Sequence, residues 1–156
     1  MVSNLNIYFM IQRKHSDFFE RLTQDIAKFF AVLIGKNIED VEEELNLAYS
    51  EWLKLDRKTF DELTPEELLT TLLGEMKLDV NHVEILADIF AQEGEFYFKQ
   101  KLYLKSKLKL QNAVKLFNFV DQEKQVFSFE RQATIQNLKI LITKIDSNYL
   151  NDNFQK

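Results

Sequence analysis

The sequence has no cysteine, one proline, three glycines and two histidines among its 156 residues. Without cysteine there is no disulfide frame, no thiolate nucleophile and no cysteine-ligated zinc or iron–sulfur site, so stability must come from packing and the expected compartment is the cytoplasm. Glycine at positions 35, 74 and 94 alone excludes the phosphate-cradling GxGxxG and GxxxxGK[ST] loops and the GxSxG nucleophile elbow. Scarce glycine and proline also remove most of the means of making tight turns and β-bulges, whereas helix interiors need neither residue. The longest uninterrupted apolar run, Phe29 to Ile34, falls far short of the ~20 residues that span a bilayer, so no transmembrane helix is expected. A shorter stretch from Ile7 to Ile11 lacks the basic region and cleavage site of a secretory signal. Met10 is a candidate alternative start, and residues 1–9 read as a loosely attached arm.

What is present favours one helical domain. Hydrophobic residues make up 46% and aromatic residues 13%, enough for a core at this length. The net charge of -5 conceals an asymmetry: residues 1–96 carry 9 Lys+Arg against 20 Asp+Glu, and residues 97–156 carry 11 against 5. Two halves of opposite sign can attract each other, face different partners, or simply solvate helix surfaces.

Helical periodicity begins at Asp17. Phe18, Phe19, Leu22, Ile26, Phe29, Phe30, Leu33 and Ile34 fall at three-and-four spacing, and Gly35 is the natural stop. After Lys36 and Asn37, Ile38, Val41, Leu45, Ala48, Trp52 and Leu55 line a second helix, so a short connection makes the pair an antiparallel hairpin. The acidic run Glu39, Asp40, Glu42, Glu43 and Glu44 suits the first turns of that helix, where the macrodipole favours negative charge; its spacing does not suit a hard cation. Thr64, Pro65 and Glu67 form a capping-box start for a short helix ending at Gly74, and Asn81 with Glu84 repeats the spacing before a helix carrying Val83, Leu86, Ala87, Phe90, Ala91 and Gly94. Residues 57–80 thus read as a helical insert between hairpins. KLYLKSKLKL, residues 101–110, alternates like a strand, but Ser106, Leu110, Ala113, Phe117 and Val120 continue a helical face and no partner strand is evident. A last helix, with Ser128 as cap, carries Ala133, Leu138, Leu141, Ile142 and Ile145 before a polar tail over 147–156.

Gly94, Tyr97, Ser106 and Ala113, spaced G-x2-Y-x8-S-x6-A with Phe90 and Leu110 at bulky positions, resemble the tetratricopeptide repeat signature. Small residues there let two antiparallel helices approach closely. Glu93 and Asn118 stand where that repeat typically has leucine and proline. Phe29, Val32, Val41 and Ala48 echo the same spacing 65 residues earlier, which is not a whole number of 34-residue repeats. The order of elements is also similar to an uncharacterised family of short bacterial helical proteins with tetratricopeptide-like hairpins. That resemblance rests on Ile11 to Arg13, the first hairpin, Leu63 to Leu69 and the later hairpin, over about residues 10–121. It implies an all-α fold of stacked antiparallel hairpins, six to seven helices in one domain, and no known activity. The resemblance further implies a peptide groove at Asp88, Ala91, Glu95, Phe98 and Lys99, unlike a lysine–asparagine carboxylate clamp.

No catalytic set, cofactor site or metal site is expected. His15 and His82 lie near helix starts without an HExxH arrangement. Lys99, Lys101, Lys105, Lys107, Lys109 and Lys115 make a basic region around Tyr103, with Lys101, Lys105 and Lys109 predicted to share one face as a candidate basic surface. The leading expectation is a non-enzymatic protein-interaction module or self-associating scaffold, able to form a homo-oligomer. The alternative is a nucleic-acid accessory protein using helix 99–115, which the acidic pI of about 5.1 and an arginine-free cluster disfavour.

Overall fold

The computed structural model describes residues 20–154, with side chains described as far as residue 148. Phe18, Phe19, His15, Ile11 to Arg13, Met10 and the arm 1–9 lie outside the described residues. Within them the chain is all-α, with seven helices, one π-helical segment and no strand. Helix α1 covers residues 20–33, α2 Ile38–Leu53, α3 Lys58–Asp61, α4 Pro65–Leu69, α5 Val80–Lys99, α6 Tyr103–Lys124 and α7 Phe129–Phe154. No helix of the described residues is long and apolar enough to cross a membrane.

Gly35 ends α1 with φ +87°, a conformation open to glycine at little cost, and Asn37 caps α2 by accepting from the Glu39 N–H at 3.3 Å. Other helix ends use residues without that freedom. Lys101 follows α5 with φ 62°; its N–H donates to the Phe98 carbonyl, and the Leu102 N–H donates to the Tyr97 carbonyl at 2.9 Å, closing a Schellman turn. That turn separates α5 from α6 and keeps Lys101 out of both helices.

Close approach at the α5–α6 hairpin is as the small residues require. A Cβ on Gly94 would stand 2.7 Å from Leu110 Cδ2, and the Ser106 hydroxyl donates to the Gly94 carbonyl at 2.7 Å. Val83, Leu86, Ala87, Phe90 and Ala91 of α5 and Leu110, Ala113, Phe117 and Val120 of α6 are all buried. The region 57–80 packs onto this hairpin: Phe60 sits between Tyr49 and Phe90, with ring centroids 6.0 and 6.1 Å away, and Asn112 of α6 donates to the Leu63 carbonyl at 2.9 Å. Burying Phe60 alone contributes roughly 2 kcal/mol.

Local expectations differ from the structure at four points. Thr64 occupies the extended N-cap position before Pro65, but its side chain makes no capping hydrogen bond. The helix begun at Pro65 does not stop at Gly74; it widens into a π-helical segment, Thr70–Glu75, where the Met76 N–H reaches the Thr71 carbonyl at 2.9 Å, aligning Leu68 and Leu72 with the core. Helix α5 starts one residue before Asn81, capped by Asp79, whose carboxylate accepts from the His82 N–H at 2.9 Å. Helix α7 continues through the expected polar tail as far as Phe154, while Ser128 does cap it, accepting from the Arg131 N–H at 3.1 Å.

Candidate functional site

The face of α5 expected to form an open groove is largely covered by α1. Thr23 donates from its hydroxyl to Asp88 Oδ2 at 3.3 Å, and the Phe30 and Phe96 rings lie 6.3 Å apart. Ala91 is buried in the core, Phe98 packs edge-on against Tyr103 at 5.7 Å, and Glu95 and Lys99 line a gap of about 100 Å³ against Ala27, Phe30 and Ala31 of α1 and Ile34 just after it. The five residues therefore do not make one continuous groove. Ile26, Phe30 and Leu33 need burial themselves, and α5 supplies the apolar surface for it.

An opening does remain at the other end of that face. A cleft of about 530 Å³ lies between α1, α5 and α7, where Asp88 is joined by Glu20, Gln24, Glu84, Glu130, Arg131 and Thr134. Four carboxylates face one guanidinium, and Arg131 is already engaged by Asp121 and by Glu84 at 3.3 Å. Glu84 also holds Lys124. Burial, and then the neighbouring Glu84 charge, push the Asp88 carboxyl up to about 7. The lining includes no histidine.

A second polar constellation is closed. Glu93, fully buried on α5, accepts hydrogen bonds from Tyr49, from Arg57 Nη2 at 2.9 Å and from Tyr97 at 3.1 Å. Lys109 Nζ stands 3.8 Å from Glu93 Oε2, the oxygen that accepts from Tyr49, and 4.5 Å above the Phe90 ring. Arg57 also bonds Glu42, Asn46 and the Tyr97 hydroxyl. Burial alone would raise the Glu93 carboxyl, but Lys109, Arg57 and the Tyr49 bond outweigh it and hold it below the usual range. Burial and the Glu93 charge together push Tyr49 and Tyr97 well above the usual phenol range, so both remain donors. Glu93 thus fills its unusual position with an ionic cluster that joins α2, α3, α5 and α6.

That cluster corrects the expected basic surface. Lys109 is only 4% exposed and faces Glu93 and Asp61; Lys101 is exposed but lies in the Schellman turn, outside α6; Lys105 is exposed on α6, 3.8 Å from Glu42 and above the Tyr97 ring. Lys107 pairs with Asp146 at 2.6 Å. The charge asymmetry has a structural use, because Lys105, Lys109, Lys124 and Arg131 of the basic half each reach carboxylates of the acidic half. Sequence reasoning missed Arg57 altogether; the signal within reach was Glu93 itself, a carboxylate inside an otherwise apolar helix face. No group of three or more His, Asp or Glu among the described residues is arranged to hold a metal ion.

Exposed apolar side chains gather at the α6–α7 connection, where Phe127 and Phe129, 67% and 83% exposed, meet edge-on at 4.7 Å beside Val126. No family model, curated protein or solved structure matches the chain.

Proposed function

We propose that the chain is a non-enzymatic protein-interaction module, acting in the cytoplasm, that takes a basic segment of a protein partner into the cleft between α1, α5 and α7. The observation carrying this reading is the cleft itself: about 530 Å³, lined by Glu20, Glu84, Asp88 and Glu130. A lysine- or arginine-bearing segment entering it would meet excess carboxylate, would gain partly desolvated charge-assisted hydrogen bonds, and would keep Asp88 ionised. The tetratricopeptide-like hairpin then serves as a rigid support rather than as the groove. Phe127 and Phe129 offer a second contact surface, which a partner or another copy of the chain can cover. Dispersal of Lys101, Lys105 and Lys109 weighs against the nucleic-acid alternative, since a phosphate backbone needs cations along one track.

Affinity capture from native-host lysate tests this, using the wild type and Glu20→Lys/Glu130→Lys at low and high salt, with and without nuclease. Glu20 and Glu130 are exposed and form no ion pair among the described residues, so the variant reverses the cleft's charge without disturbing the fold. A protein retained by the wild type and lost from the variant is expected. Equal retention by both would remove the cleft from the mechanism, and capture that collapses with nuclease would favour the nucleic-acid reading.

A further inference from the structure

The closed cluster leaves two donors without acceptors. Lys109 Nζ and Arg57 Nε are buried and make no hydrogen bond, although Glu93, Tyr49, Tyr97 and the Nη atoms of Arg57 are all hydrogen-bonded. Leaving a buried cationic donor unpaired is costly. Both donors face the same carboxylate: Asp61 Oδ1 stands 3.6 Å from Arg57 Nε and 3.9 Å from Lys109 Nζ, close enough for attraction and too far for a hydrogen bond. Beside them lies a cavity of about 160 Å³, lined by Glu42, Arg57, Asp61, Tyr97, Lys105 and Lys109 together with Leu108. It opens near Lys105 and Asp61, whose side chains are 59% and 38% exposed.

We infer that this cavity is a binding site for a small monocarboxylate, whose oxygens bridge Arg57 Nε and Lys109 Nζ in the place that Asp61 only partly fills. Size supports a small ligand, because the cavity is well below the ~300 Å³ of pockets that hold drug-sized molecules. Charge limits the ligand to a monoanion, because Arg57, Lys105 and Lys109 already face Glu42, Asp61 and the buried Glu93, and only a single negative charge can take the place that Asp61 gives up. Geometry supports a carboxylate, since the Arg57 Nε–H and the Lys109 ammonium already converge on one in Asp61. Asp61 is then the ligand's competitor. Burial raises its carboxyl above the usual value, so it yields the position more easily than an ordinary aspartate would.

Acetate is the probe. The full chain, labelled with nitrogen-15, is titrated with sodium acetate against sodium chloride at constant ionic strength, following the Arg57 Nε–H and Lys109 Nζ resonances. Both should move saturably with acetate and not with chloride. Asp61→Asn removes the competing charge while keeping the side chain's shape, and should tighten acetate roughly tenfold. Lys109→Met should abolish the saturable shift of Arg57; because that variant also risks unfolding the cluster, Asp61→Asn is the deciding one. Equal shifts with chloride, no saturation, or unchanged or weaker acetate binding by Asp61→Asn would overturn the site.

Discussion

Asp88 and Glu93 lie on the same helix, little more than one turn apart, and both are taken from water, yet burial has opposite outcomes for them. Asp88 has one hydroxyl donor and carboxylate neighbours, and its carboxyl is lifted to about 7. Glu93 has two tyrosines, Arg57 and Lys109, and is held below the ordinary value despite complete burial. Desolvation disfavours charge in both places; what differs is the number of donors fixed around each carboxylate before it ionises. Lifted and open to a cleft, Asp88 is poised to accept a cation from outside, whereas Glu93 has its cations inside and contributes to holding four helices together.

The largest expected effect comes from breaking the closed side of this pair. Glu93→Ala removes the acceptor of Tyr49, leaves Arg57 Nη2 with only the Tyr97 hydroxyl and Tyr97 with only Glu42, and leaves Lys109 facing only Asp61, which should cost about 3–5 kcal/mol in urea denaturation. Replacing the charged centre as a unit, Arg57→Met with Glu93→Leu and Lys109→Met, should recover most of that loss, because apolar side chains of similar size carry no desolvation penalty. If the single and triple variants were equally unstable, packing around Glu93 and not its ion pairing would be the source of stability.

Asp88→Asn comes second and acts through pH. A carboxyl lifted from 3.8 to about 7 binds a proton in the folded chain that the unfolded chain has released, so its stabilising contribution is complete below about pH 3.8 and is lost as pH rises through about 7. The wild type should therefore lose stability between pH 6 and pH 8, and Asp88→Asn should flatten that slope. At pH 8 the variant should be the more stable by about 1–2 kcal/mol, less than the full shift implies because the cleft admits water. Thermal melts at pH 6 and pH 8 for both proteins would show it; parallel slopes would mean that Asp88 is ionised and solvated throughout this range.

The helices and hairpin of this molecule were legible because apolar spacing and small residues act locally. Gly35 as a stop, Ser128 as a cap and the close approach at Gly94 all follow from single residues and their neighbours. Reading residues 99–115 as one helix with Lys101, Lys105 and Lys109 on a shared face failed for a different reason. The chain puts Lys54, Lys101 and Gln125 in left-handed positions where glycine is the usual signal, so the turn after Lys99 left no mark in composition. The candidate groove failed because a pattern within one helix does not say which other helix will cover it; α1 needed a partner for Ile26, Phe30 and Leu33. Glu93 was visible as a departure from the repeat, but its meaning depended on Arg57, which lies 36 residues away in sequence and has no periodic signature.

Lys105 and Lys109, one turn apart on α6, extend the same contrast to cations and give the smallest expected effect. Lys109 is buried over Phe90 beside Glu93, whereas Lys105 keeps 59% of its side chain exposed and reaches Glu42 only at 3.8 Å. An exposed pair gains little because water already solvates both partners and because ordering a long side chain costs entropy. Lys105→Ala should therefore change stability by no more than about 0.5 kcal/mol, and raising the salt concentration should erase even that difference. A larger, salt-insensitive loss would mean that Lys105 acts through its contact with the Tyr97 ring as a member of the closed cluster, and the boundary between the buried charges and the solvent-facing ones would move outward to include it.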